Sequence, residues 1–177
     1  MKTIFACDII KKNSGFAMKI DYRKTIDSLK EEGLIESGDK YAVCLFQTES
    51  ESNGVTTTYI TSKVDCIMTA NADELKLIEI DKKTGEYLGN CLVFKKSDLV
   101  YGKKLKERKF IWASRGLFGG MYVTIHFIAE KFVHTYLIPK KHCGYEQKEA
   151  REELYTFVKE TYNAYYREQE LLYKNNK

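Results

Sequence analysis

The order of apolar and polar positions splits the last third of the chain into two regimes. Over residues 110–138 apolar side chains alternate with polar ones, the period of strands with one buried face. Over residues 145–174 they recur every three or four positions, with no glycine or proline inside, the period of one long amphipathic helix. Its apolar stripe runs through Leu154, Phe157, Val158, Thr161 and Tyr165. Tyr155, Tyr162 and Tyr166 form a second edge that either widens the buried stripe or faces a partner.

Upstream, residues 40–47 read as a strand with Cys44 and Phe46 on one face. A polar loop with the Asn53-Gly54 turn signal follows. Strands are expected at 56–61, 64–69 and 75–80, then a DKKTG turn at 81–85, then strands at 89–94 and 99–105. Residues 110–113 and 121–128 flank a loop at 114–120. A tight turn at 129–131 leads into 132–138, and residues 139–144 break the sheet before the helix. At the start, residues 3–10 read as a strand and 11–15 as a turn. Asp21 is placed to cap a helix over 22–32, with Ile26 and Leu29 on one face and Gly33 at its end.

These elements describe an α+β protein: an antiparallel β-barrel or strongly bent sheet with a long C-terminal helix packed on it. Residues 1–33 form a strand/helix extension on the core, and residues 34–177 form the main unit. The order of elements, with residues 58–68 (TYITSKVDCIM) after a helical lead-in and a strand, resembles the bacterial pleckstrin-homology-like (PH-like) families over about residues 34–174. That resemblance implies a non-enzymatic interaction module that binds a protein or peptide along strand edges and loops. It implies no catalytic residue and no cofactor. A small-molecule-binding or enzymatic barrel is a further alternative that the architecture leaves open.

Composition bounds the rest. With 44% hydrophobic and 31% charged residues, a 177-residue chain is expected to fold as a globular unit with a sizeable core. The net charge of +4 permits attraction to an anionic surface without demanding it. The five cysteines are odd in number and widely spaced, with no CxxC, so a disulfide framework and a zinc knuckle are not expected, and the thiols point to a reducing cytoplasm. Residues 1–10 are broken by Asp8, so a signal peptide is not expected. No apolar run approaches the roughly 20 residues of a membrane span.

The candidate chemistry is sparse. A three-residue turn at 129–131 would pair His126 with His134 across two strands, about 5 Å apart at Cβ. Two imidazoles are weak metal candidates without further ligands, and a one-residue slip of register would dissolve the pair. His142 and Cys143 adjoin before the helix, but neighbours in an extended link point apart, so no catalytic pair is expected. The binding candidates are Lys103, Lys104, Lys106, Arg108, Lys109, Arg115, Leu117 and Phe118. The first reading of this stretch is a hairpin loop whose Leu117 and Phe118 fold back onto the core, with the cations as a solvated edge. The alternative is docking on an anionic membrane surface, each cation adding about 1 kcal/mol. Tyr101 and Phe110 bracket the cations too sparsely to favour single-stranded nucleic acid.

Overall fold

The computed structural model describes residues 20–51, 57–58, 64–127 and 132–176. The strand expected at 3–10, the turn at 11–15, the Asn53-Gly54 turn, the 129–131 turn and most of the 56–61 strand lie outside the described residues.

The protein is α+β, with a seven-stranded antiparallel sheet and a C-terminal helix of 28 residues. Helix α1 (Tyr22–Glu31) starts where the Asp21 carboxylate accepts the Arg23 N–H at 3.2 Å, and it ends before Gly33, whose φ of +73° few other residues tolerate. The strands are β1 (Lys40–Glu51), β2 (Thr57–Thr58), β3 (Val64–Ala70), β4 (Glu74–Asp81), β5 (Tyr87–Lys95), β6 (Phe110–Arg115), β7 (Met121–His126) and β8 (Phe132–Ile138). Across the sheet the order is β5-β4-β3-β1-β8-β7-β6, with the short β2 paired to the end of β1. A small hairpin of β9 (Lys141–His142) and β10 (Tyr145–Glu146) follows. Then come α2 (Lys148–Val158), a π-helical turn (Lys159–Asn163) and α3 (Ala164–Asn175).

Strand β1 changes partners midway. Lys40–Cys44 pairs with β3, the chain from Leu45 onward pairs with β8, and the register shifts between Phe46 and Thr48. An extra residue on one strand bends it and raises its twist. Both halves of the sheet face one core. Cys44, Cys66, Met68 and Leu77 from one half, and Ile111, Val123, Ile125 and Ile138 from the other, pack with Leu154, Tyr155, Val158 and Tyr162 of the terminal helix. The sheet is not closed into a barrel, and among the described residues β5 and β6 are its two edges. On the other face, Tyr22, Ile26 and Leu29 of α1 cover Val43, Ile67, Ile78 and Ile80. Strand β3 is therefore covered on both sides and is buried at every position from Asp65 to Ala70.

The terminal helix hides Leu154 and Val158 completely, as its stripe requires. Tyr155, Tyr162 and Tyr166 are also buried, while Phe157, Thr161 and Tyr165 are half-exposed. The π turn adds one residue to the helical repeat and rotates the contact face, so from there on Tyr162 and Tyr166 are buried rather than Thr161 and Tyr165. The structure departs from the sequence reading most around the terminal helix and between β5 and β6. The helix begins at Lys148, because Tyr145 and Glu146 belong to the small hairpin. That hairpin replaces the expected plain break at 139–144. Residues 99–105 are not a strand: a 3-10 turn at Leu105–Glu107 returns the chain so that Val100 bridges Lys109. Gly102 allows the close return, since a Cβ there would lie 2.5 Å from the Glu107 side chain.

Two side-chain amides fill gaps in the backbone ladder. Where β1 leaves β8 behind, Gln147 accepts the Val43 N–H at 2.8 Å and donates to the Val43 carbonyl at 2.9 Å. At the β6 edge, Asn163 accepts the Ala113 N–H at 2.8 Å and donates to the Ala113 carbonyl at 2.9 Å. Each amide supplies the donor and acceptor that a neighbouring strand would have offered.

Candidate functional site

The β6 edge is closed by the helix: Asn163 bonds its backbone, and the Arg167 guanidinium lies 5.2 Å from the centre of the Trp112 ring. The β5 edge has no such cover among the described residues. Leu88, Leu92 and Val93 are 46%, 42% and 48% exposed along it. A nine-residue edge strand with three large apolar side chains in water is the arrangement that proteins usually blunt. Lysines flank it at both ends. Lys82 and Lys83 stand in the turn before β5, and Lys95 and Lys96 at its exit. The nearby acids are mostly engaged. Asp81 accepts the N–H groups of Lys83 and Thr84, which hold its carboxyl below the usual range, Glu74 pairs with Lys76 at 3.0 Å, and Glu86 accepts from Thr84. At the exit a cleft of about 460 Å3 is lined by Asp73, Glu74, Lys95, Lys96, Ser97 and Tyr165.

The β6–β7 tip is the second anomaly. Leu117 and Phe118 are 99% and 102% exposed, so the expectation that they fold back onto the core is overturned. The tip has a built backbone. Gly116 N–H donates to the Gly120 carbonyl, Gly119 N–H to the Gly116 carbonyl, and buried Arg151 donates to the Gly119 carbonyl at 2.6 Å. Gly119 has a φ of +73°. Gly116 and Gly120 lie flat on the Tyr122 ring, where a Cβ at either would come within 3 Å. The packing that pins these glycines leaves no surface for the two side chains between them to fold onto.

The basic candidates do not form one patch. Lys103, Lys104 and Lys106 are exposed, but they lie before β6, whereas Leu117 and Phe118 lie after it. A six-residue strand separates the groups by about 20 Å. Arg108 donates to the carbonyls of Gly102 (2.7 Å) and Lys103 (3.2 Å) and covers the Tyr101 ring, so its guanidinium shapes its own loop. Lys109 lies over the Phe127 ring. Arg115 pairs with Glu152 at 3.0 Å and stacks on Tyr155.

The histidine pair does not form. His126 is opposite Val133 and His134 is opposite Ile125, one residue away from the expected register, which puts the two imidazoles on opposite faces. His126 is fully buried with Nδ1 2.6 Å from the Arg108 carbonyl, and His134 packs edge-on against Phe46. Among the described residues no group of three His, Cys, Asp or Glu side chains is arranged to hold a metal ion.

His142 and Cys143, expected to point apart, come together. The β9–β10 loop has positive φ at both Cys143 (+46°) and Gly144 (+86°), the signature of a type I′ turn. This brings Cys143 Sγ to 3.5 Å from His142 Nε2, which also lies 2.7 Å from Asp65 Oδ2. The Tyr22 hydroxyl donates to that same Oδ2 at 2.6 Å. Burial alone would raise the Asp65 pKa, but the hydrogen bonds from His142 and Tyr22 outweigh it and hold the carboxyl below the usual carboxylate range. Burial, and then the bond to Asp65, push the Tyr22 phenol upward. The ionised Asp65 only accepts, so Nε2 carries a proton. A nucleophile relay needs carboxylate and thiol on opposite ring nitrogens. Here both meet one nitrogen, and the set works as a clasp between α1, β3 and the small hairpin.

The sequence signals for Asp65 and Tyr22 were absent: Asp65 sits in an apolar run, and only tertiary packing brings it to His142. The chain matches no protein-family model, no curated protein and no solved structure. No helix among the described residues is long and apolar enough to cross a membrane.

Proposed function

We propose that the protein is a non-enzymatic interaction module of PH-like plan that takes an extended peptide as an added strand along β5. The observation that carries this reading is the contrast between the two sheet edges. One is closed by Asn163 and the helix, and the other presents Leu88, Leu92 and Val93 to water. Main-chain hydrogen bonds to the open edge supply affinity, and alternate side chains supply specificity. The flanking lysines define the occupant. Two copies pairing antiparallel through β5 would set Lys82 and Lys83 of one beside Lys95 and Lys96 of the other, and like charges repel. A peptide with an apolar centre between acidic residues meets the same four lysines with attraction, one acid at the Lys95–Lys96 cleft. The interior between the sheet halves is filled by Leu154, Val158 and Tyr162, which disfavours a ligand-holding barrel. Four free cysteines among the described residues go with a reducing, cytoplasmic setting.

Panning the full chain against a library of extended peptides tests this. The expected winners alternate apolar residues between acidic ends. Their affinity, read by fluorescence anisotropy, falls about tenfold or more in Val93→Glu and in Lys95→Glu/Lys96→Glu, and hydrogen exchange slows at the β5 amides. The reading is overturned if no peptide is selected, or if the winners bind the Val93→Glu protein as tightly as the parent.

A further inference from the structure

We propose that the Leu117-Phe118 tip is a membrane-insertion element that enters the interfacial layer of an anionic bilayer. Three observations converge on that occupant. First, both side chains are wholly in solvent on a convex projection, and none of the described clefts adjoins it. A deformable bilayer accepts such a knob without a matching pocket. Second, the polar backbone groups that brace the tip are already paired within the protein: Gly116 N–H with Gly120, Gly119 N–H with Gly116, and the Gly119 carbonyl with Arg151. The backbone groups of Leu117 and Phe118 make no such bonds among the described residues, so the tip suits the hydrated interfacial layer, where water and headgroups meet them, and not the hydrocarbon core. Third, the charges around the tip complement an anionic surface. The β7–β8 register carries Pro139 and Lys140 past the same end of the sheet, and the Arg151 bond brings the first turn of α2, with Lys148, beside it. Of the acids at that end, Glu152 is paired with Arg115 and Glu146 with Lys141 at 2.8 Å, which leaves Glu149 against the exposed Lys140 and Lys148.

The basic segment Lys103–Lys106 is not part of this device, because it lies at the far end of β6. The tip and the β5 edge belong to opposite halves of the sheet, so an inserted tip leaves the peptide edge accessible.

The test is co-sedimentation of the full chain with phosphatidylcholine vesicles, with and without phosphatidylserine. The chain is expected to pellet with the anionic vesicles. Leu117→Ser/Phe118→Ser should lower partitioning about tenfold or more, the equivalent of losing two inserted apolar side chains. Phe118→Trp should preserve or strengthen it, since tryptophan favours the interface. These side chains touch nothing, so the variants should keep the parent circular dichroism. The proposal falls if the chain stays in the supernatant at low salt, or if the double serine variant pellets like the parent. It also falls if Lys103→Glu/Lys104→Glu/Lys106→Glu abolishes pelleting that the tip variant leaves intact.

Discussion

The Asp65 carboxylate is the residue on which the outer face of the sheet is pinned. It is nearly fully buried and receives two donors on one oxygen, the Tyr22 hydroxyl from α1 and His142 Nε2 from the small hairpin. Hydrogen bonds to a charged, buried acceptor are worth about 1.5–3 kcal/mol each. Tyr22→Phe is therefore expected to destabilise the fold by about 2 kcal/mol at neutral pH, as read by chemical denaturation. The sign with pH follows from the depressed folded pKa of Asp65. The stabilisation is complete above the unfolded value of about 3.9 and is lost as pH falls through the folded one. The difference between parent and Tyr22→Phe should shrink below about pH 4; a constant difference down to acid unfolding would show that the carboxylate is not the acceptor that matters. None of this was legible from residue types. Asp65 reads as a polar interruption in an apolar run, and His142 beside Cys143 reads as a link. The contacts need a left-handed Cys143 that no local pattern announces. The histidine pair failed for the opposite reason: the residue types were right, but a single step of register put the two imidazoles on opposite faces.

At the scale of elements the periodicities carried most of the architecture. The period-2 runs became β6, β7 and β8, and the apolar stripe through Leu154 and Val158 found the sheet. The π turn was not legible, because its cause is tertiary. Asn163 must face Ala113 while Tyr162, one residue before it, faces the core and donates to the Asn71 carbonyl at 2.9 Å. The wider turn sets both residues against the sheet, Tyr162 on the core and Asn163 on the β6 edge. Asn163→Ala would leave a buried N–H and a buried carbonyl of Ala113 without partners, at a cost of about 2–4 kcal/mol. The expected readout is a lowered unfolding midpoint, with fast hydrogen exchange at Ala113 and slow exchange retained at Val123, deeper in the sheet. Uniform loss of protection would mean that the amide holds the whole fold rather than one edge. Asn163→Gln offers the same chemistry on a longer arm and should recover only part of the loss. Gln147, which serves Val43 in the same way, is the second such site.

At the scale of the molecule, the two halves of the sheet are finished differently. The half ending in β6 is sealed by the terminal helix, while the half ending in β5 exposes three large apolar side chains between pairs of lysines. An open apolar edge invites pairing with another copy, and charge at its ends is the common remedy. If Lys82, Lys83, Lys95 and Lys96 prevent that pairing, replacing all four with glutamine should leave the monomer fold intact but let it self-associate. Sedimentation velocity should then show dimers or larger species that grow with concentration, and adding Val93→Glu to the quadruple variant should reverse them. Salt gives an independent handle, because exposed charges are screened beyond a Debye length of about 8 Å at physiological ionic strength. High salt should push the parent toward the same association and leave the quadruple variant unchanged. A quadruple variant that stays monomeric would mean that the twist of β5 protects the edge instead. The lysines would then be free to act solely on an acidic partner strand.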